Sequence, residues 1–448
     1  MSFDPYRISA DTIKNPPKGI LESFKFLGPG FILSASIVGS GELIATTILG
    51  AKAGFTAFWI IILSCLIKVA VQLQFGKHAI LSGESSIRAF DKIKGPRLKG
   101  KSWMVWSVLG LQLLKIIQLG GMVGSTALVL KLLFPFFSIP IWAILTGLSA
   151  GILIYKNYYP IVEKGSLIMI GFFTIMTIWS LMALNKTEYA FTLADIMQGM
   201  KFNLPPDLIL VAIGAFGITG VAADETIAYN YWCIEKGYAA YTGPQDHSKE
   251  RESRAQGWIK VMYLDAVVAM IIYTLVTAAF YLLGAAILHT RGEIPEGNVL
   301  IEKIALIYTE SLGPGIKSAY LIGAFFVLYS SVFATLAAMT RVFSDGMAVI
   351  GIYDFTNFIH RKRIISILAF VFPTLWVIMY FTINLPVLMI LSGGVVGSIM
   401  LLLVAYAAYY FKYKRNLEIK VSTSFNILFW LSLASIVFVA IYGIISLF

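Results

Sequence analysis

The chain alternates between long apolar runs and short polar breaks. Runs of about 20 or more apolar residues cross a bilayer as helices. They lie near 25–52, 55–81, 103–134, 139–156, 161–184, 207–234, 257–289, 314–350, 364–382, 385–411 and 424–447. The pattern predicts about eleven crossings, several long enough to tilt or to extend beyond the membrane. The first run is interrupted by Ser36-Ile37-Val38-Gly39-Ser40-Gly41-Glu42. In the sixth, Gly214, Gly217 and Gly220 precede Ala222-Ala223-Asp224-Glu225. Glycine weakens a helix, so both runs are predicted to break near their middles. The flanking text repeats as well: Gly41-Glu42-Leu43-Ile44-Ala45-Thr46 parallels Asp224-Glu225-Thr226-Ile227-Ala228-Tyr229. Matched interruptions in spans one and six predict a five-plus-five inverted repeat, with the eleventh helix an addition. The expected division is a polar segment 1–24, a core 25–411 with repeats at about 25–184 and 207–411, and a tail 412–448. That tail holds a basic loop and the additional helix.

Composition settles the class. Hydrophobic residues make up 58% of the 448 and charged residues 13%, with a mean hydropathy of +0.80. A soluble chain is about half apolar and about a quarter charged. The surplus apolar surface must face lipid, which makes this an all-α, multi-pass membrane protein. The net charge of +11 lies in alternate loops. These carry Arg88 to Lys101, Lys156 and Lys164, Lys236 to Lys260, Arg361 to Arg363, and Lys412 to Lys420. Such loops set orientation in a bilayer rather than bind nucleic acid. The rule predicts a plasma-membrane protein with a cytoplasmic N-terminus and an outer C-terminus, which requires an odd number of spans. Residues 1–24 lack a cleavable signal pattern, so the first apolar helix is expected to direct insertion. Cys65 and Cys233 form no disulfide framework, and His78, His247, His289 and His360 have no ligand spacing. The loop 290–313 is acidic, with Glu293, Glu296, Glu302 and Glu310. Gly313-Pro314-Gly315-Ile316-Lys317-Ser318 lacks the ending and the strand of a phosphate loop, so no nucleotide or other cofactor is expected.

Unwound backbone survives at membrane depth only where it is buried in protein or lines a cavity. The candidate substrate-binding residues are therefore Gly39, Ser40, Gly41, Glu42, Thr219, Gly220, Asp224 and Glu225, with Glu42 and Asp224 as candidate metal ligands. An intramembrane acid is a functional-site hypothesis by default. The alternative is structural, since an acid at the start of a half-helix caps free N–H groups and offsets the dipole. Asp224 and Glu225 are adjacent, and adjacent helical residues do not share a face, so they are not expected to meet one ion. Lys68 and Lys115 lie within spans two and three, where each either pairs with a site carboxylate or snorkels to the interface. Gln112, Lys115 and Gln118 form a polar stripe at i, i+3 spacing that is expected to face the interior. The hydroxyls of Ser330 and Ser331 are expected to bond backbone carbonyls. Asp265 is a further, weaker candidate.

These residues also carry a likeness. The run from Gly28-Pro29-Gly30-Phe31 to Gly50-Ala51-Lys52-Ala53-Gly54-Phe55 resembles the first helix of the Nramp divalent-metal transporters. Gln72 and Gly83, Gly124-Ser125, Asp265 and Ser330-Ser331 follow in the family's order, so the resemblance covers most of 25–411. It implies a LeuT-type (APC superfamily) fold, alternating access and a small ion as substrate, with coupling to protons. The motifs depart from the family's. Gly39-Ser40-Gly41-Glu42 stands where the family has Asp-Pro-Gly-Asn, and Ala222-Ala223-Asp224 stands near its Met-Pro-His. Gln118 and Gly121 stand at its acidic pair in helix three. A thioether favours softer transition metals, whereas carboxylates and carbonyls suit hard cations. The first reading is thus a hard divalent cation, held by Glu42, Asp224 and carbonyls near Ile37, Val38, Ile218 and Thr219. The second is a small anion such as bicarbonate or a carboxylate, held by Lys68, Lys115, Ser40 and half-helix amides. The third, a membrane enzyme or sensor, lacks a catalytic triad and a soluble signalling domain, so no enzyme is expected.

Overall fold

The computed structural model describes residues 4–39, 41–156, 159–246, 248–292, 294, 303, 317–415 and 423–445. Ser40, His247, Glu293, Glu296, Glu302, Glu310 and the stretch 313–316 lie outside the described residues. The membrane-length segments in chain order are α1 (29–53, interrupted), α2 (Phe58–Ser82), α3 (Trp103–Leu133), α4 (Ile139–Ile154), α5 (Tyr159–Leu184) and α6 (Pro206–Glu235, interrupted). They continue with α7 (Lys249–His289), α8 (Lys317–Val349), α9 (Phe358–Ile383), α10 (Pro386–Tyr413) and α11 (Thr423–Ile445). Among the described residues nine helices are long and apolar enough to cross a membrane. The split α1 and the 16-residue α4 are the remaining two of the expected eleven.

Both predicted breaks are present. Helix α1a (Pro29–Ile37) ends at Val38 and Gly39, and α1b resumes as a π-helical turn, Gly41–Thr46, continued by Thr47–Ala53. Helix α6a (Ile209–Ile218) gives way at Thr219, and α6b (Ala223–Glu235) starts after an extended Ala222. Gly220 has φ +64° and lies so close to α2 that a Cβ there would sit 2.9 Å from the Cys65 Cα. Only glycine suits both demands. Two smaller lapses fall at Lys68 in α2 and Lys115 in α3, each separating two helical stretches with ψ near zero.

Burial places α1 and α6 centrally. In α1a, Pro29, Gly30, Ile32, Leu33, Ser34, Ala35 and Ile37 are all buried, whereas α5 presents Ile168 and Ile175 outward at 69% and 70% exposure. Hydrocarbon is the natural surrounding for such a face. The basic loops meet at one end of the bundle. Arg88 pairs with Asp345, Lys236 with Glu163, Arg415 with Glu84 and Arg361 with Asp4. The N-terminal segment straps across that end. Tyr6 donates its hydroxyl to Glu235, which is also held by the buried Arg341, and the Lys14 carbonyl accepts from the Trp258 indole. Loops that alternate along the sequence therefore share one face, as the distribution of Lys and Arg predicts.

At the other end, α1b rests on the π-helical last turn of α7, Gly284–His289. The approach is backbone to backbone: a Cβ at Gly50 would overlap the Tyr281 carbonyl, and one at Gly284 would overlap the backbone of Thr47. Close approach of this kind is what small residues permit between membrane helices. Tyr281 then accepts from the Ala57 N–H (3.1 Å) and donates to the Gly54 carbonyl (2.6 Å), fixing the turn into α2. Gly284→Val is expected to cost about 1–3 kcal/mol through overpacking. Gly171→Ala, where a Cβ meets nothing within 4 Å, should be neutral. Unfolding midpoints of the two variants in detergent would test this, and equal midpoints would contradict the close approach.

Candidate functional site

The site is built from the groups that the two breaks leave without helical partners. The last carbonyls of α1a are met from α8: Ser330 donates to the Ala35 carbonyl (3.1 Å) and Ser331 to that of Ser36 (2.9 Å). This is the carbonyl-bonding role expected for the two serines. The last carbonyls of α6a are met from α2. Lys68 Nζ donates to Phe216 O (2.6 Å) and to Thr219 O, and Ser64 Oγ faces the same two oxygens at 3.2 and 2.9 Å. Two bonds then tie the broken helices to each other. Gly220 N–H donates to Glu42 Oε1 (3.0 Å), and Ser36 Oγ–H donates to Glu225 Oε1 (3.0 Å). Asp265 of α7 caps the start of α1a, accepting from Gly28 N–H (2.8 Å) and Gly30 N–H (2.6 Å). Carboxylates suit helix starts because they satisfy N–H groups and offset the dipole.

Between the breaks lie two adjoining cavities, each of about 20 Å³, room for roughly one water. The first is lined in part by Ser36, Gln112, Asp224, Glu225, Thr335 and Met339. The second has Ile37, Gly41, Lys115, Gln118, Met122 and Ala222 on its walls, again with Asp224 and Glu225. The Lys115 ammonium bonds both Asp224 oxygens at 2.6 Å. Glu225 Oε2 and Gln118 Oε1 have no hydrogen-bond partner, nor does Glu42 Oε2. Among the described residues no group of three or more His, Cys, Asp or Glu is gathered closely enough to hold a metal ion already.

Several expectations change. Asp224 and Glu225 line the same cavities despite being adjacent. They stand in the first turn of α6b, beside the break, where the cavity wraps around the end of the helix rather than along one face. Lys115 pairs with a site carboxylate, but Lys68 takes backbone carbonyls instead. The Thr219 carbonyl, expected to face an ion, is thereby occupied. Glu42 is fully buried and braces Gly220 from behind, on neither cavity wall. Gly39 packs against Ser331, and Gly41 against Ile218, so tightly that a Cβ at either would overlap a side-chain atom. Met122, Thr335 and Met339 went unnoticed in the sequence, because neutral residues in a buried helix carry no signal of their own.

The profile of the family described as "Natural resistance-associated macrophage protein-like" matches residues 30–446. A divalent metal cation transporter MntH of Mesorhizobium japonicum is 26% identical over 340 residues, 73% of this chain and 69% of that protein. The MntH of a Nostoc species is 22% identical over 381 residues, 84% and 80% of the two chains. A solved manganese transporter of Eremococcus coleocola superposes with a TM-score of 0.64 at 13% identity, covering 98% of this chain and 91% of that one. The transporter MhsT, solved with L-phenylalanine, reaches a TM-score of 0.58 at 15% identity, covering 97% of this chain and all of that one. These structural likenesses establish the LeuT-type fold, with its paired broken helices. Since the family profile runs from the first helix to the last, this chain belongs to the Nramp family.

Proposed function

We propose that this protein is a secondary transporter that carries a hard divalent metal cation across the plasma membrane by alternating access. One observation carries the reading. Two carboxylates, Asp224 and Glu225, face a water-sized space where both helices break. The lysines nearby are spent, Lys115 on Asp224 and Lys68 on two carbonyls. A small cation meets uncommitted acceptors there: Glu225 Oε2, Gln118 Oε1 and, behind the wall, Glu42 Oε2. A small anion would meet ammonium groups already committed, Lys115 to Asp224 and Lys68 to two backbone carbonyls. The names of the relatives point the same way, since the two MntH proteins are called divalent metal cation transporters.

In this reading Asp224 and Glu225 bind the ion, Glu42 adds negative potential from behind, and Gln118 supplies a neutral oxygen. Gly39, Gly41, Thr219 and Gly220 shape the breaks. Carboxylate and carbonyl oxygens suit hard cations. The core is formed by 25–411, as two inverted repeats, with α11 outside the repeat. Family likeness extends the reading to proton coupling, which internal pH recorded during uptake would test.

Glu225→Gln keeps size and hydrogen bonding but removes the charge. Divalent-cation uptake into liposomes should fall at least tenfold, about 1.4 kcal/mol, while the protein still purifies as a folded species. Unchanged uptake would remove Glu225 from the site. Lys115→Met frees Asp224 and should leave divalent-cation binding intact or stronger in calorimetry. Loss of bicarbonate binding in that variant, with no metal bound by wild type at any pH, would replace the cation by an anion. For orientation, a cysteine placed near the C-terminus should react with an impermeant thiol reagent added outside intact cells, and one near Lys94 should not. The reverse result would invert the topology.

A further inference from the structure

Among the described residues, Lys68 is the one basic group at the breaks that meets neither an ion pair nor a cavity wall. It is 1% exposed, sits at the lapse in α2, and aims its ammonium at the end of α6a. Three features make this a cation site rather than a chance contact. Two carbonyls from the unwound end, Phe216 O and Thr219 O, converge on Nζ. The Phe216 ring lies under the same ammonium, with its centroid 4.7 Å away. Ser64, one turn earlier on α2, directs its hydroxyl as a donor to the same two carbonyls, which holds them together. A helix C-terminus carries about half a negative charge and favours a cation there. Carbonyl oxygens around a single positive charge are also ligands of an alkali-metal ion, because hard cations prefer oxygen.

We propose that the Lys68 ammonium is a tethered monovalent cation: it holds the end of α6a in the manner of a bound alkali ion, and the space its removal leaves accepts such an ion. Lys68 is a positioning residue in this account. Its ammonium fixes the Thr219 carbonyl, and Thr219 fixes Gly220, whose N–H holds Glu42. The break therefore keeps its shape with or without substrate. The position of Lys68 on a neighbouring helix adds a mechanical link, since α6a cannot move from α2 without leaving its carbonyls bare in an apolar surrounding. Such exposure is costly at membrane depth.

The inference rests on the proposed transport activity for one readout only, and the second is independent of it. Lys68→Ala removes the ammonium and leaves space; Lys68→Met removes the charge and fills the space with an apolar stem. Divalent-cation uptake and the thermal unfolding midpoint would be measured in sodium chloride and in choline chloride at equal ionic strength. Wild type should show no sodium preference in either readout. Lys68→Ala should lose at least tenfold of uptake in choline and recover several-fold in sodium. Its unfolding midpoint should rise with sodium concentration and saturate, as for a ligand that binds only the native state. Lys68→Met should not respond to sodium. If Lys68→Ala cannot be purified, Lys68→Ser, which keeps one hydrogen bond to a carbonyl, takes its place. The midpoint needs no divalent cation, so a sodium-dependent rise would uphold the tethered cation even if wild type proved to carry another substrate. Full uptake by Lys68→Ala in choline, or a folded Lys68→Ala whose midpoint ignores sodium, would overturn it. A sodium response in Lys68→Met would do the same, since the site would then not be the space the ammonium leaves.

Discussion

A helix broken inside a membrane exposes backbone N–H and C=O groups with no water to satisfy them. Each buried group left without a partner costs free energy comparable to a lost hydrogen bond, and more in hydrocarbon. Several polar side chains around the site answer to that constraint. Ser330 and Ser331 complete the end of α1a, Ser64 and Lys68 complete the end of α6a, and Asp265 completes the start of α1a. Glu42 and Ser36 then cross-link the two breaks, so that α1 and α6 hold each other's unwound segments. Ser36, which joins the two breaks through Glu225, also lines the cavity, and so does that glutamate.

That double duty sets how far the sequence could be read. Glycine clusters followed by acids announced both breaks, because a flexible backbone and a capping carboxylate are local features. The Lys115–Asp224 pair was foreseeable in kind, since a buried ammonium seeks a carboxylate. Lys68 was not foreseeable. Its partners are backbone oxygens 148 and 151 residues away, and every residue type has such an oxygen. The face argument for Asp224 and Glu225 failed for a different reason. It describes side chains along a continuous helix surface, whereas these two stand at a helix start beside an unwound segment. Met122 and Thr335 reach the cavity from α3 and α8 with no residue pattern to mark them.

Fully ionised, the site holds the carboxylates of Glu42, Asp224 and Glu225 against the ammoniums of Lys68 and Lys115. One negative charge remains. A family likeness alone would not have led there, because Asp-Pro-Gly-Asn and Met-Pro-His are both absent at the corresponding positions. The broken helices and the central space are present although both of those motifs differ. Two lysines beside three acids are a different way to keep such a space polar and still attractive to a cation.

The size of that space bears on the kinetics of the ion's passage. With room for about one water in each of two small chambers, an ion held there in this conformation would keep little of its hydration shell. Magnesium keeps several waters and demands near-ideal octahedral geometry, whereas calcium accepts more varied oxygen shells. Between ions of equal charge, the rate at which inner-sphere water exchanges then becomes a selection criterion in its own right. A slowly exchanging ion would dwell at the threshold while a faster one passed, so competition between two metals would depend on exchange rates as well as on equilibrium affinity.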